Sequence, residues 1–294
     1  MFSYKVDDIT RTVFLITSLL CFTFFFYFIV IMLKVFFTTP HMQENPRYVL
    51  FVHMLINDTL YIILTNFIIV SYMHSVYFPI IVCLMIRSLG GCIFLVTPYN
   101  LAVMSLERYI AICFPLRHLE LCTPKRAKYA IAAVWAIGLS LSTVSSSAAV
   151  FLDETPPYNL YMLCGVLKVG FKQNMVRTFV NTFSFTGVAL IIVFSYINVM
   201  LVARRVGSGH SSALKAGKTM MLHAIQLILC MVAFISTLTE THGNNYMYFL
   251  IISNYVLFTC VPRFLSPLIY GVRDEAFQKH IRKYCLITHV CCPH

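Results

Sequence analysis

The chain has 294 residues, of which 59% are hydrophobic and only 11% charged. Soluble domains carry about 25% charged residues, so too few charges are present here to cover a water-facing surface. A disordered chain is excluded by the same figures. The net charge of +11 does not point to nucleic acid in so apolar a chain; it fits loop charge on a membrane protein.

A membrane-spanning helix needs about 20 apolar residues. Seven apolar stretches bounded by polar or turn residues are expected as spanning helices, over about 12–37, 48–72, 79–113, 127–152, 174–203, 219–240 and 246–270. Residues 1–11 contain Asp7 and Asp8 and precede an apolar run long enough to span, so they read as a short outer tail rather than a cleaved signal. Beyond the seventh stretch, Val272, Ala276, Phe277, His280 and Ile281 recur at helical spacing with charges between them. That pattern predicts a short amphipathic helix over about 272–284, lying along the inner leaflet. Cys285, Cys291 and Cys292 follow it and are either palmitoylated or unmodified thiols. The expected fold is an all-α membrane protein, a single seven-transmembrane helix bundle. No internal repeat supports an inverted-repeat transporter, and the short loops leave no room for a separate soluble domain.

Basic residues beside the span ends set the orientation. One face collects Lys34, Arg47, Arg117, Lys125, Arg126, Lys128, Arg204, Arg205, Lys215, Lys218, Arg273, Lys279, Arg282 and Lys283, whereas the other holds Lys5, Arg11, Lys168, Lys172 and Arg177. The richer face is expected to be cytoplasmic. Seven spans then place the N-terminus outside and the C-terminus inside.

The third span ends in Met104-Ser105-Leu106-Glu107-Arg108-Tyr109-Ile110-Ala111-Ile112-Cys113-Phe114-Pro115-Leu116-Arg117-His118. An acid–Arg–Tyr triplet there resembles the rhodopsin-type G-protein-coupled receptors, and the longer string is similar to the odorant-receptor signature M-A-Y-D-R-Y-V-A-I-C-x-P-L. Pro46-Arg47-Tyr48 opens the second span as P-M-Y does in odorant receptors, and Ser195-Tyr196 matches the family's S-Y. Lys215 to His223 keeps the K-A-x-x-T-x-x-x-H spacing, and Ser266-Pro267-Leu268-Ile269-Tyr270 looks like N-P-x-x-Y with Ser for Asn. These motifs cover nearly the whole chain, and Pro262-Arg263-Phe264-Leu265-Ser266-Pro267 resembles the fish-type odorant receptors most. Three features depart from the family pattern. The first-span Asn is replaced near Val30, the aromatic residue of the sixth span falls near Met231, and the only sequon, Asn57-Asp58-Thr59, lies inside the second span.

The resemblance implies a switch made of Glu107, Arg108 and Tyr109, joined by Tyr196, His223, Pro267 and Tyr270. The bland alternative for Arg108 is snorkelling to the headgroups. Cys83 lies twenty-five residues before Arg108, roughly 37 Å of helix at 1.5 Å per residue, and so at the opposite, oxidising face. Its expected disulfide partner is Cys164, the one cysteine of the loop over 153–173. Asp58, near the middle of the second span, is too costly to leave unpaired in a membrane. It is expected either to pair with Arg263 or to bind sodium, as the matching Asp does in many such receptors; Arg263 alternatively reaches the cytoplasmic interface.

A ligand pocket is expected in the outer half of the bundle, lined by Arg87, Gly90, Gly91 and Phe94 of the third span, Asn181 and Ser184 of the fifth, Phe234 of the sixth and Thr259 of the seventh. No acid stands there to hold an ammonium, whereas Arg87 could hold an anion. Its bland alternatives are a salt bridge to Glu240 or Asp153, or snorkelling. No hydrolase, zincin or phosphate-loop motif appears, and no Cys/His spacing reads as a metal site. Neither enzyme chemistry nor a cofactor is expected. The reading is a plasma-membrane odorant receptor whose partners are a small odorant, a heterotrimeric G protein and the bilayer. A non-olfactory chemoreceptor is the alternative, and a transporter or channel stands further behind.

Overall fold

The computed structural model describes residues 2–151, 161–164, 171–205, 221, 224–225, 227–228, 231 and 255–264. Seven helices and one short strand pair lie within them: α1 (Phe2–Thr38), α2 (Pro40–Gln43), α3 (Pro46–Met73), β1 (Tyr77–Pro79), α4 (Ile80–Cys113), α5 (Pro115–Leu121), α6 (Pro124–Phe151), β2 (Tyr161–Leu163) and α7 (Phe171–Arg205). Five stretches are long and apolar enough to cross a membrane: Thr12–Thr38, Pro46–Met73, Ile80–Cys113, Pro124–Ser147 and Met175–Val202. A shorter apolar helix, Tyr255–Phe264, opens with a π-helical turn over Tyr255–Cys260.

Local chemistry sets the helix ends. Asn45 caps α3 by accepting a hydrogen bond from the Arg47 amide at 3.0 Å, and Pro46 fills the first helical position, where a missing N–H costs nothing. Pro115 opens α5 and Pro124 opens α6 in the same way. After α3 the chain reverses through Ser75, the one described non-glycine residue with positive φ (54°). Inside the spans, Thr23, Thr59 and Ser184 donate to carbonyls four residues back. Short hydroxyls are thereby satisfied within their own helix, as hydrocarbon surroundings require.

Helix α4 is central and packs against α3, α6 and α7. The main core joins Leu50, Phe51, Met54 and Leu55 of α3 to Leu101 and Met104 of α4 and to Phe185, Val188 and Ile192 of α7. Large apolar residues such as Leu19, Phe179 and Leu190 point outward, as lipid-facing positions do.

Three features differ from the sequence expectations. Helix α1 starts at Phe2 rather than near residue 12, because residues 2–11 contain neither Pro nor Gly to stop it; their charges mark the edge of the apolar span, not the end of the helix. A two-stranded antiparallel pair, Tyr77 opposite Leu163 and Pro79 opposite Tyr161, interrupts the all-α pattern. Two short helices, α2 and α5, occupy connections expected to be loops. The amphipathic helix over 272–284, and most of the sixth and seventh predicted spans, lie outside the described residues.

Candidate functional site

Polar side chains cluster at three levels along α4. At its C-terminal end, Glu107 is buried and its Oε2 lies 3.7 Å from Arg108 Nε. The other carboxylate oxygen, Oε1, is 3.2 Å from His118 Nε2. His118 stands on α5, which Phe114 and Pro115 turn back toward the end of α4. A single carboxylate therefore ties the third span to the connection that follows it. Tyr109 packs its ring edge-on against Phe114 and Phe194, at 5.7 and 5.5 Å between centroids. Tyr196 is 39% exposed on α7. Cys122, just past α5, has its thiol pushed up first by burial and then by the Glu107 carboxylate, with Arg126 opposing.

The middle level is built around Asp58, which is completely buried. Its Oδ1 accepts a hydrogen bond from Thr97 Oγ1 at 3.1 Å and lies 3.7 Å from Arg263 Nε. Arg263 is itself only 3% exposed. Its guanidinium carbon sits 3.8 Å from the centroid of the Tyr61 ring, and Nη1 donates to the Thr259 carbonyl at 3.0 Å. Arg263 therefore stays inside the protein, against an aromatic face. Asn57 extends the cluster by donating to Thr97 Oγ1 (3.0 Å) and to the Ile93 carbonyl (3.1 Å).

Beside this cluster, Trp135 Nε1 donates to His53 Nε2 at 2.8 Å. That nitrogen must be unprotonated, so His53 carries its proton on Nδ1 and donates it to Asn100 Oδ1 at 3.4 Å. Asn100 in turn donates to the Leu50 carbonyl at 3.1 Å. The chain joins α3, α4 and α6 without a net charge.

At the N-terminal end of α4, a disulfide links Cys83 to Cys164, whose Cα atoms are 5.3 Å apart. The β1–β2 pair lies beside it, so the segment after α6 is tied to the bundle twice. Arg87 is one turn further along α4. Phe94 meets Phe185 of α7 and Tyr61 of α3. Asn181 and Ser184 are buried on the same stripe of α7 as Phe185, although the Ser184 hydroxyl is taken up by the Val180 carbonyl.

Gly90 and Gly91, expected beside the pocket, each stand next to a neighbouring helix. A Cβ on Gly91 would lie 2.5 Å from Ser142 Oγ of α6, and one on Gly90 would lie 3.5 Å from Leu64 of α3. Gly91 lets α6 approach α4, whereas a methyl at Gly90 would sit in ordinary van der Waals contact with α3. Adjacent helical residues differ by about 100° in direction, so these two open onto different neighbours. Of the remaining expected residues, Thr259 holds Arg263 through its carbonyl. His223, Phe234, Pro267, Tyr270, Cys285, Cys291 and Cys292 lie outside the described residues.

Sequence reasoning did not single out His118, Tyr61, Thr97 or the Trp135–His53–Asn100 chain. Trp135 is the chain's only tryptophan, and polar residues within an apolar span were the available signal for the others.

Five helices long and apolar enough to cross a membrane, packed around a buried polar column and tied at one end by a disulfide, mark a polytopic membrane protein. The model of the 7 transmembrane receptor (rhodopsin family) matches residues 29–270, and the chain belongs to that family. The chain is 30% identical over 262 residues to "Odorant receptor 131-2" of Danio rerio, covering 85% of this chain and 80% of that receptor. "Olfactory receptor 14J1" of Homo sapiens is 25% identical over 291 residues (95% and 88%), and "Somatostatin receptor type 5" of Rattus norvegicus is 26% identical over 215 (68% and 57%).

Proposed function

We propose that the protein is a plasma-membrane odorant receptor with seven spanning helices, an outer N-terminus and a cytoplasmic C-terminus bearing the amphipathic helix over 272–284. A small odorant binds in the outer half of the bundle. Its binding shifts the population toward a conformation that activates a heterotrimeric G protein of the stimulatory class, raising cyclic AMP. The ligand acts only through its differential affinity for the two states.

The observation that carries this reading is the shared Glu107 carboxylate, held by Arg108 on one side and by His118 on the other. The carboxylate has two competing partners, so a movement that draws Glu107 onto His118 frees the Arg108 guanidinium for another partner. Leu116 and Leu119, 93% and 82% exposed beside His118, offer that partner an apolar foothold. Likeness to the Danio rerio and Homo sapiens olfactory receptors supports an odorant as the ligand. Tyr196, His223, Pro267 and Tyr270 complete the switch in this reading, and Cys285, Cys291 and Cys292 are sites for lipid anchoring.

The test expresses the full chain in cultured cells and screens water-soluble and volatile odorants for a cyclic-AMP response. A dose-dependent rise that is absent from mock-transfected cells is expected. Surface-expressed protein that carries an ion or solute flux, with no second-messenger response to any panel member, contradicts the reading. A chemoreceptor outside olfactory tissue is the second reading, favoured by the likeness to a somatostatin receptor; transcript location separates the two.

A further inference from the structure

The buried ion pair at the middle of the bundle is not closed. Asp58 Oδ1 and Arg263 Nε stand 3.7 Å apart, whereas a charge-assisted N–H···O contact draws its atoms to about 2.7–2.9 Å. Among the described residues, Arg263 Nε and Nη2 have no hydrogen-bond partner, and neither has Asp58 Oδ2. Two unpaired donors on one guanidinium, with an unpaired acceptor on the neighbouring carboxylate, are the parts of a bidentate pair that has not formed. Other contacts hold the guanidinium off. Its carbon lies 3.8 Å from the centroid of the Tyr61 ring, and Nη1 donates to the Thr259 carbonyl at 3.0 Å.

Tyr61 follows Asp58 by three residues on α3, so the two side chains share a helix face about one turn apart. They compete for a single cation that arrives from another helix. The guanidinium therefore has two stations on α3, and a displacement shorter than one turn, about 5.4 Å, carries it from the ring to the carboxylate. Tyr61 has a second neighbour: its ring is 6.0 Å from that of Phe94 on α4, which in turn meets Phe185 of α7 at 5.9 Å. The aromatic row thus runs from the helices expected to line the ligand pocket to the buried charge. We propose that Tyr61 is a positioning residue of the receptor switch: its ring holds Arg263 away from Asp58, and a ligand that moves Phe94 shifts the ring and lets the pair close. The ligand's part rests on the receptor reading, whereas the hold on Arg263 does not. Glu107 stands 3.7 Å from Arg108 in the same structure, so the stacked arrangement belongs to the resting state. A row of contacts does not by itself couple two sites; the two stations of Arg263 supply the equilibrium that a ligand biases.

The experiment uses the full chain in phosphatidylcholine nanodiscs. Unfolding midpoints are read for Asp58→Asn, Arg263→Gln and their combination, first with Tyr61 in place and then with Tyr61→Leu; the non-additive part of the shift measures the pair. In Tyr61→Leu that part should grow by about 3 °C or more, the effect of one charge-assisted hydrogen bond gained on closure. Tyr61→Phe keeps the ring and should match wild type. A trifluorinated phenylalanine at the same position keeps the ring's size but weakens its negative face. It should behave as Tyr61→Leu does, which keeps the test decisive where leucine spoils the fold. A non-additive part that is unchanged or smaller in both of these variants overturns the hold on Arg263. So does Tyr61→Phe behaving as Tyr61→Leu, which assigns the role to the hydroxyl. The second readout is ligand-independent cyclic AMP at matched surface expression. It should rise severalfold in Tyr61→Leu, and Tyr61→Leu added to Arg263→Gln should change nothing further, because the ring acts through the guanidinium. An equal change with and without Arg263 marks a space-filling role and overturns the proposal. Cyclic AMP absent from every variant, with the midpoints as expected, counts against the receptor reading and leaves the positioning of Arg263 standing.

Discussion

Replacing Asp58 by Asn removes the carboxylate from the buried pair while keeping the side-chain volume, so the cost falls on Arg263. That guanidinium is only 3% exposed and loses the one acidic neighbour it has among the described residues, at 3.7 Å. Removing one partner of a buried ion pair costs about 3–5 kcal/mol. The Tyr61 ring at 3.8 Å and the Thr259 carbonyl at 3.0 Å continue to hold the cation, which places the expected loss at the low end, about 3 kcal/mol. At about 2–4 °C per kcal/mol for a larger chain, the unfolding midpoint should fall by roughly 6–12 °C. Arg263→Gln alone strands Asp58 and should cost a similar amount. The double variant Asp58→Asn with Arg263→Gln strands neither, so at least about 2 kcal/mol should return as coupling. The assay is thermal unfolding of the purified protein in detergent micelles, repeated with sodium and with potassium as the only monovalent cation. With Arg263 already neutralising Asp58, the wild-type midpoint should not respond to the exchange. Strictly additive losses in the double variant, or stabilisation by sodium that vanishes in Asp58→Asn, would refute the reasoning.

Cys83→Ser should lower surface expression and ligand response together, since losing a native disulfide typically costs about 2–5 kcal/mol; the Cys83→Ser/Cys164→Ser double variant should be no worse than either single one, and additive losses by flow cytometry would show that the cysteines act separately. His118→Ala leaves Glu107 to Arg108 alone and should lower ligand-independent cyclic AMP, whereas an unchanged or raised basal level means that His118 does not compete for the carboxylate. Trp135→Phe leaves His53 Nε2 without its donor, a loss of about 1–3 kcal/mol for an unsatisfied buried group. The midpoint should drop by several degrees, and no drop would show that the hydrogen bond is dispensable.

The second to fifth spans were legible because charged and proline-containing segments bound each apolar run. Asn45-Pro46 and Thr123-Pro124 marked helix starts within a few residues. The β1–β2 pair was not legible, since three residues per strand carry no period and β1 ends in Pro79. Asp58 and Arg263 stood out because a charge inside an apolar stretch must find a partner, and the two lie together. His118 escaped notice because its contact with Glu107 depends on how α5 folds back, which spacing along the chain does not encode. The glycines of α4 illustrate the same limit. Which helix Gly90 and Gly91 face depends on where α3 and α6 stand, and of the two Gly91 is the tightly packed one.

In the proposed mechanism, Arg108 released from Glu107 drives nucleotide exchange on a G protein. The most direct measurement reconstitutes the full chain in nanodiscs with a purified heterotrimeric stimulatory G protein and follows agonist-dependent GTP uptake, in wild type and in Arg108→Ala at matched amounts of folded receptor. Wild type should accelerate exchange, and Arg108→Ala should bind the agonist with nearly unchanged affinity while accelerating nothing. Full exchange by the folded Arg108→Ala protein would contradict the account.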